Sequence, residues 1–444
     1  GEFPLAIYQV LLELNLSDNR INDMIYAIPT SSVSYEFTRK IYEILGLNIK
    51  NIAVQFNTFN LLNIIDQNND IDYKKIKMNL IQNKNFSEIK LLDNIAYERG
   101  ENKMKFDVVV GNPPYQETVS TSRENASLGK QLFPWFVITA MELEPQFSTL
   151  ITPSRWFTGD AQDKSFVKLR EYIKENNHIS KIYNFKDEKE IFENVEIKGG
   201  VNYFLYEKDY QNKVQFVNCY RGKEESTYRN LFEEGMDIII NDSKNYPILK
   251  KVKNDSFVPL TEITTGRNAF GIIGKKSVVD SISKKEKFEG ACELRCKANE
   301  IRYIKDEAVT KNIDIFNSYK VFVSKSAGNP NSDLKVIGLP YIGEKRTACT
   351  DSLIPIGKFE TIDEAEALQK YIKTKFLRFM VSILKTSQNV TQIVYAFVPM
   401  QDFTQKSDID WSKSVHEIDL QLYKKYNLSD DEIEYIESKI KEME

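Results

Sequence analysis

The tetrapeptide Asn112-Pro113-Pro114-Tyr115 combines groups that can hold a planar aromatic amine for reaction. An exocyclic amine conjugated to an aromatic base is a poor nucleophile because its lone pair is delocalised into the ring. Two hydrogen-bond acceptors, the Asn112 side-chain oxygen and the Pro113 carbonyl, can stabilise a tetrahedral nitrogen. Proline fixes φ and lacks an N–H, so the turn is rigid and offers no competing donor. The Tyr115 ring can stack on a base extruded from a duplex.

The chemistry that suits this arrangement is attack by the amine on a methyl group carried by a sulfonium. The positive charge of the donor disappears in that step, so positioning and electrostatics suffice and no strong general base is required. The alternative is a polyproline turn without chemistry. The apolar run "FDVVVG" (106–111) favours the functional interpretation, because it predicts a strand that ends at the tetrapeptide. Sheets of α/β proteins bind ligands beyond the carboxyl ends of their strands.

The first 210 residues alternate between predicted strands and helices. Helical spacing of apolar residues occurs over residues 4–16, 32–47, 129–144 and 164–177. Ser31 or Ser32 is the predicted N-cap of the second of these helices. Strand-like runs occur over residues 23–28, 51–56, 106–111, 147–154, 179–185 and 199–208. Strands that alternate with helices of this length predict an α/β fold with a parallel, doubly wound, Rossmann-like sheet.

The pattern changes after about Asp209. Strand-like runs such as "MDIIIN" (236–241) alternate with polar turns, and residues 363–384 predict one long helix. A capping box from Ser429 to Glu432 predicts the start of a last helix. We therefore expect three parts: residues 1–212, a mixed α/β domain over 213–400, and a C-terminal helical segment over 401–444 that docks on the body.

Charge is unevenly distributed along the 444 residues, whose net charge is −4. Residues 241–400 hold 26 Lys and Arg against 18 Asp and Glu, whereas residues 401–444 hold 6 against 12. A basic middle is typical of a DNA-facing module, and the alternative is that solvated lysines follow from the Asn/Ile/Lys-rich composition. No apolar run is long enough to span a membrane and no export leader is recognisable, so we expect a cytoplasmic protein with no membrane partner.

Four cysteines in so long a chain also favour a reducing compartment. Cys292 and Cys296 are four residues apart, and two further cysteines and two histidines are conceivable partners for a zinc ion. Zinc modules usually show two close pairs of ligands, and only one pair is present. We therefore expect buried thiols and no metal.

The sequence resembles the amino-methyltransferases that methylate adenine at N6 in DNA, in particular the type II or IIG-like restriction–modification methylases in which a catalytic domain precedes a target-recognition domain. The resemblance covers nearly the whole chain, through "FDVVVGNPPYQE" (106–117), "STLITPSRWF" (148–157), "IFENVEIKGGVNYFLYEK" (191–208), "TTGRNAFG" (264–271), "FVPMQDFTQ" (397–405) and "LYKKYNLSDDEIEYIESKI" (422–440). It implies that residues 1–212 are an N-terminally incomplete S-adenosylmethionine-dependent catalytic domain, that residues 213–400 recognise the DNA target, and that residues 401–444 form the common C-terminal helix.

The resemblance also implies the roles of individual residues. Catalysis would fall to Asn112, Pro113, Pro114 and Tyr115, acting on a flipped adenine of double-stranded DNA. Tyr115 and Phe192 would stack on the base, with Phe192 closing on its opposite face, and Arg155 and Arg267 would contact DNA. The alternatives are that Phe192 is a core residue and that Arg267 is a solvated arginine.

S-adenosylmethionine is the cofactor that the resemblance implies, with Gly1, Phe3, Ile28 and Asn60 as candidate contacts. The family's cofactor loop, of the form Asp-Pro-x-x-Gly-x-Gly-x-Phe, does not occur in this sequence. Gly1-Glu2-Phe3 matches the end of that loop, which would leave the first strand outside the chain; alternatively, these three residues are a cloning remnant. Both interpretations imply a longer parent protein that carries the cofactor-loop segment and, as in many restriction–modification fusions, an upstream nuclease. Ile28 and Asn60 occupy positions that are often acidic in the family.

Two other functions remain open. One is a DNA-binding specificity module without independent catalysis, because the cofactor loop is missing. The other is a methyltransferase that acts on glutamine side chains of proteins, although such enzymes are much shorter and lack a large basic second domain.

Overall fold

The structure is a computed structural model that describes residues 2–53, 62–64, 70–76, 106–117, 130–161, 163–192, 195, 197, 199–297, 300–327, 336–385 and 388–443. The chain forms two compact units. Unit 1 comprises Gly1–Trp156, Asp160–Phe185 and Val201–Leu231, and unit 2 comprises Phe157–Gly159, Lys186–Gly200 and Phe232–Glu444.

Unit 1 is built from helices and one main sheet. The helices of unit 1 whose bounds the structure describes are α1 (Glu2–Glu13), α2 (Asp18–Ile21), α3 (Ser32–Leu45), α4 (Phe133–Glu142) and α5 (Ser165–Glu175). Its strands are β1 (Val108–Gly111), β2 (Gln116–Glu117), β3 (Lys130–Gln131), β4 (Phe147–Pro153), β5 (Ile179–Phe185), β6 (Val201–Glu207), β7 (Val214–Tyr220) and β8 (Lys223–Arg229). Ser31 caps α3 by accepting a hydrogen bond from the Ser34 amide, as the sequence predicts.

The main sheet of unit 1 is mixed, so the prediction of a parallel sheet is wrong in strand direction. Its strand order is β1-β4-β6-β5-β7-β8. The β1–β4 and β5–β7 pairs are parallel, whereas β6 runs antiparallel to both of its neighbours and β8 runs antiparallel to β7. Antiparallel neighbours need no crossover helix, and β7 returns into β8 through Arg221 and Gly222, which both have positive φ.

The sheet extends beyond the boundary predicted between residues 212 and 213. Strands β7 and β8 belong to it, and unit 1 continues to Leu231. The predicted strand over 23–28 is reduced to a parallel bridge between Ala27 and Ile52. Residues 54–56, half of the predicted strand over 51–56, lie outside the described residues.

Unit 2 contains helices and two small sheets. Its helices are α6 (Asn245–Val252), α7 (Lys276–Ile282), α8 (Ile313–Phe316), α9 (Ile362–Lys373), α10 (Lys375–Leu384), α11 (Val415–Lys425) and α12 (Asp430–Lys439). Its strands are β9 (Cys292–Arg295), β10 (Ile301–Ile304), β11 (Tyr319–Ser324), β12 (Tyr341–Gly343), β13 (Thr347–Cys349) and β14 (Leu353–Phe359), in the orders β10-β9-β13 and β12-β11-β14. The predicted strand over 236–241 is irregular, although Ile239 and Ile240 are buried.

The C-terminal segment packs into the main core of unit 2. Ile418 and Leu422 of α11 and Ile436 of α12 share one apolar cluster with Leu368 of α9 and Phe376 of α10. The predicted capping box at the start of α12 is formed. The segment over 401–444 is therefore part of this core rather than a separate appendage.

The prediction of a single long helix over 363–384 is wrong, because the helix is interrupted at Thr374 and a second helix begins at Lys375. Thr374 has an extended backbone, and its hydroxyl accepts a hydrogen bond from the Leu377 amide. The carboxylate of Asp419, from α11, accepts hydrogen bonds of 2.9 Å from the amides of Lys375 and Phe376. A distant acceptor thus supplies partners to the first amides of α10 and makes a new helix start favourable.

Removing this acceptor should destabilise unit 2. We expect Asp419→Ala to lower the free energy of unfolding by about 2–3 kcal/mol, because two buried backbone N–H groups lose their partner. Asp419→Asn retains one acceptor oxygen and should cost about half as much. Urea denaturation measures both variants against Asp255→Ala, an exposed control that should stay within about 0.5 kcal/mol of wild type. An Asp419→Ala variant as stable as that control would refute this explanation of the helix break.

The Asp419 carboxyl should also make the free energy of unfolding depend on pH. Burial raises the pKa of Asp419 to about 6, so the folded protein binds this proton more tightly than the unfolded chain does. The stability of wild type relative to Asp419→Asn should therefore be greatest below about pH 4 and should fall as the pH rises through about 6. The measurement is urea denaturation of both proteins between these two pH values.

The four cysteines are free and buried. Within the described ranges no group of three or more His, Cys, Asp or Glu residues is arranged to hold a metal ion. Among the helices of that same part of the chain, none has the length and apolar character needed to cross a membrane.

Candidate functional site

The tetrapeptide lies at the carboxyl end of β1, beside β4. Gly111, the last residue of β1, is paired with Leu150, and a Cβ at position 111 would approach the Leu150 side chain to 3.3 Å. Asn112 follows with an exposed side chain that makes no hydrogen bond to any residue the structure describes. An amide oxygen at this position is available to a ligand without first breaking a hydrogen bond to any of the described residues.

The next three residues are less exposed than Asn112. Pro113 is buried, and Pro114 and Tyr115 are half-buried. The Tyr115 ring meets the Phe133 ring edge-to-face, with centroids 6.3 Å apart and planes at 80°. The Tyr115 hydroxyl is buried and has no hydrogen-bond partner in the described part of the chain. Burial raises the pKa of Tyr115 to about 12, so the hydroxyl is protonated near neutral pH.

A small hairpin fixes the chain after Tyr115. Strands β2 and β3 are antiparallel, with Gln116 opposite Gln131. The Leu132 amide donates a 3.0 Å hydrogen bond to the Tyr115 carbonyl. Phe133 then opens α4, so the ring that contacts Tyr115 belongs to the first helical turn after the hairpin.

Arg155 approaches this hairpin from the turn after β4. Its Nη2 donates a 2.9 Å hydrogen bond to Gln131 Oε1, and its guanidinium carbon lies 5.8 Å from the centroid of the Phe166 ring. Phe166 in turn contacts Phe133, with centroids 5.5 Å apart. Burial lowers the pKa of the Arg155 guanidinium. The DNA contact predicted for Arg155 remains a prediction.

Three residues that support the site were not predicted from the sequence: Gln131, Phe133 and Phe166. They come from three different elements, so no local spacing connects them with the tetrapeptide. Phe133 lies inside the helix predicted over 129–144, whereas the helix in the structure begins at Phe133 itself, with Pro134 in its first turn, where proline is favoured.

A buried polar network crosses the sheet next to the site. Ser154 Oγ donates to Asn184 Oδ1 at 2.7 Å, and Asn184 Nδ2 donates to Asn218 Oδ1 at 2.8 Å. Asn202 Nδ2 donates to the Thr152 carbonyl at 3.1 Å and to Ser154 Oγ at 3.3 Å. Buried polar groups that are mutually satisfied hold a single arrangement, so the carboxyl end of β4 is rigid.

The candidate cofactor residues form an incomplete set in the described structure. Gly1 and Asn60 lie outside the described residues. Phe3 is 37% exposed on α1, and Ile28 is half-buried against a cluster that includes Ala53 and Leu132. Both described candidates are apolar, so they fit a ring but offer no side-chain group for ribose hydroxyls. The described residues therefore fit only part of an S-adenosylmethionine site.

The two remaining candidates belong to unit 2. Phe192 is half-buried, and its amide donates a 2.8 Å hydrogen bond to the Glu188 carbonyl. Arg267 is exposed, and its guanidinium forms no hydrogen bond or ion pair with the described part of the chain. The neighbouring Thr265 is anchored, because its hydroxyl donates to the Pro355 carbonyl at 2.9 Å. Arg267 thus extends from a fixed loop.

Comparison with known proteins adds an independent finding. Residues 42–192 match the family model described as Eco57I restriction-modification methylase. The matched segment includes the tetrapeptide, the hairpin after it and Arg155. It is about a third of the chain.

A curated relative gives a similar result over part of the sequence. The "Uncharacterized adenine-specific methylase" of Mycoplasma pneumoniae (strain ATCC 29342 / M129 / Subtype 1) is 33% identical over 166 residues, which cover 36% of this chain and 38% of the relative. The chain therefore matches well under two thirds of that relative's length.

Solved structures show distant likeness. The type IIL restriction-modification enzyme MmeI in complex with DNA aligns at a TM-score of 0.42 and 9% identity, over 75% of this chain and 52% of that chain. A nuclease-deletion mutant of the type ISP restriction-modification enzyme LlaGI, in complex with a DNA substrate mimic, aligns at a TM-score of 0.45 and 11% identity, over 87% of this chain and 41% of that chain.

Proposed function

We propose that this chain carries the catalytic site of a site-specific DNA methyltransferase of the restriction–modification kind, which transfers a methyl group from S-adenosylmethionine to the N6 amine of an adenine flipped out of double-stranded DNA. The observation that carries the proposal is the exposed side-chain amide of Asn112 at the carboxyl end of β1, which has no hydrogen-bond partner among the described residues and is followed by the buried Pro113. The family match over residues 42–192 and the identity to an adenine-specific methylase support it.

Asn112, Pro113 and Tyr115 would bind and orient the adenine amine. Asn112 Oδ1 and the Pro113 carbonyl would each accept one N–H of the adenine amine and so favour a tetrahedral nitrogen. The Tyr115 ring, held at one edge by Phe133, would stack on the flipped base. Because the Tyr115 hydroxyl stays protonated near neutral pH, it is no base, and positioning carries the catalysis. S-adenosylmethionine, when bound, would supply an electrophilic methyl group.

Target recognition is proposed for the second part of the chain, residues 213–400 in the sequence prediction. Arg267 is the candidate for a phosphate or guanine contact, because its exposed guanidinium has no internal partner among the described residues. Phe192 is proposed as a second stacking residue for the flipped base.

A DNA-binding specificity module without its own catalysis is the second candidate. It is favoured by the apolar character of Phe3 and Ile28, the two described cofactor candidates. Titration calorimetry of this chain with S-adenosylmethionine, and separately with a long duplex of mixed sequence, distinguishes the two. Binding of both ligands supports the methyltransferase, and binding of DNA alone supports the module. If neither ligand binds, both proposals fail.

A further inference from the structure

We propose that Arg155 is a positioning residue that braces the Asn-Pro-Pro-Tyr turn from behind, through Gln131 and through a row of aromatic rings. The proposal rests on the proposed function, because the turn that it braces is the site that would grip the adenine amine. Arg155 would touch neither DNA nor the amine. It would determine how accurately Tyr115 is placed.

The backbone that carries Arg155 is fixed on both sides. Before it, Ser154 is 2% exposed and its hydroxyl donates to Asn184 Oδ1 at 2.7 Å, within the polar network that crosses the sheet. After it, the Trp156 carbonyl accepts a 2.6 Å hydrogen bond from Arg170 Nη1. Arg170 is itself 7% exposed. The guanidinium of Arg155 therefore projects from a rigid base.

The first connection to the turn is polar. Arg155 Nη2 donates to Gln131 Oε1 at 2.9 Å, and Gln131 pairs with Gln116, the residue that follows Tyr115. The Gln131 backbone N–H also donates to Asp163 Oδ2 at 3.2 Å. Leu132, the next residue, binds the Tyr115 carbonyl through its amide. One hydrogen bond from Arg155 thus acts on the strand that holds the end of the tetrapeptide.

The second connection is a row of rings. The Arg155 guanidinium lies 5.8 Å from the Phe166 centroid, Phe166 lies 5.5 Å from Phe133, and Phe133 lies 6.3 Å from Tyr115. A planar guanidinium can stack on a ring face and still donate hydrogen bonds in its own plane, whereas an ammonium is a compact point charge without this planar arrangement of donors. Arginine is therefore the residue type that can serve both connections at once.

Kinetic measurements distinguish a positioning role of Arg155 from a direct contact between Arg155 and DNA. In the full-length protein we expect Arg155→Met to lower kcat for methyl transfer by about 10- to 100-fold, because small misplacements of a reacting group have effects of this size. KM for DNA, and the slope of log affinity against log salt, should be unchanged. Arg155→Lys should recover only part of the rate. Arg20→Met, the same change at an exposed site of unit 1, is the matched control.

A double-variant cycle tests the route. Gln131→Met removes the polar connection but keeps the aromatic one, so it should lower kcat by a smaller factor than Arg155→Met, and the double variant should be little worse than Arg155→Met alone. Additive losses overturn the proposal. So does a salt slope that falls by about 1 in Arg155→Met, which is the signature of a lost phosphate contact.

Hydrogen exchange does not depend on catalysis, so it tests the positioning role of Arg155 even if the proposed function is wrong. In Arg155→Met, hydrogen exchange at the Leu132 amide should be about tenfold faster, whereas the Ile182 amide in the centre of the sheet should be unchanged and report an intact fold. Unchanged exchange at Leu132 overturns the brace. A wild-type protein that transfers no methyl group, but in which Leu132 responds to Arg155→Met, overturns only the proposed function.

Discussion

Replacing Asn112 with alanine should lower the rate of methyl transfer to DNA by at least about 100-fold, the usual effect of removing one preorganised electrostatic group from a transition state. Asn112 is exposed, and its side chain has no hydrogen-bond partner in the described part of the chain, so the substitution removes no hydrogen bond that the structure describes. The free energy of unfolding should therefore stay within about 0.5 kcal/mol of wild type.

The measurement is transfer of labelled methyl groups from S-adenosylmethionine to duplex DNA by the full-length protein, together with urea denaturation of the same preparations. Asn19→Ala changes the same residue type at another exposed position of unit 1 and should retain full activity. Full activity of Asn112→Ala would remove the basis of the catalytic assignment. A large loss of stability in that variant would instead mean that Asn112 has a structural partner.

Replacing Tyr115 should have the second largest effect, and the two possible changes should differ. Tyr115→Ala removes the ring, and base–aromatic stacking contributes about 1–3 kcal/mol, so we expect a loss of about 5- to 150-fold in kcat/KM. Tyr115→Phe retains the ring and its edge contact with Phe133. It removes only a buried hydroxyl that lacks a partner among the described residues, so activity should stay within about threefold and stability should be equal or slightly higher.

The readouts are steady-state kinetics and the fluorescence of 2-aminopurine at the target position, which rises when the base leaves the stack. Tyr115→Ala should reduce that rise, and Tyr115→Phe should not. If Tyr115→Phe is as impaired as Tyr115→Ala, the buried hydroxyl binds a ligand directly and the stacking role is insufficient.

Local patterns predicted several strands of the main sheet. The apolar run over 179–185 is the strand β5, and the run over 147–154 is β4 to within one residue. The capping box at Ser429 also starts a helix as predicted. These features depend on residues that are close in sequence, so the sequence contains the whole of their cause.

The errors share a different cause, which is long-range contact. The break at Thr374 depends on Asp419, 44 residues away from Lys375, and no property of the segment 363–384 reveals that acceptor. The direction of β6 depends on which neighbours it finds in the sheet, and alternation of elements does not specify it. Because β7 and β8 also join the sheet, unit 1 is longer than the change in sequence rhythm indicated.

The same division applies to the site. The tetrapeptide could be recognised from the sequence because its residues are adjacent and follow a strand. Its supporting residues, Gln131, Phe133 and Phe166, meet only in the folded structure. For Arg155 the sequence indicates a DNA contact. The positioning role that we propose depends on its distances to Gln131 and Phe166, which only the folded structure provides.

The most direct test of the central claim is identification of the methylated product. The full-length protein is incubated with duplex DNA and labelled S-adenosylmethionine, and the DNA is digested to nucleosides for mass spectrometry, with the protein fraction analysed in parallel. We predict N6-methyladenine in the DNA, and none with Asn112→Ala. Label found only in another base, or only in glutamine side chains of protein, would contradict the assignment of this site to adenine in DNA.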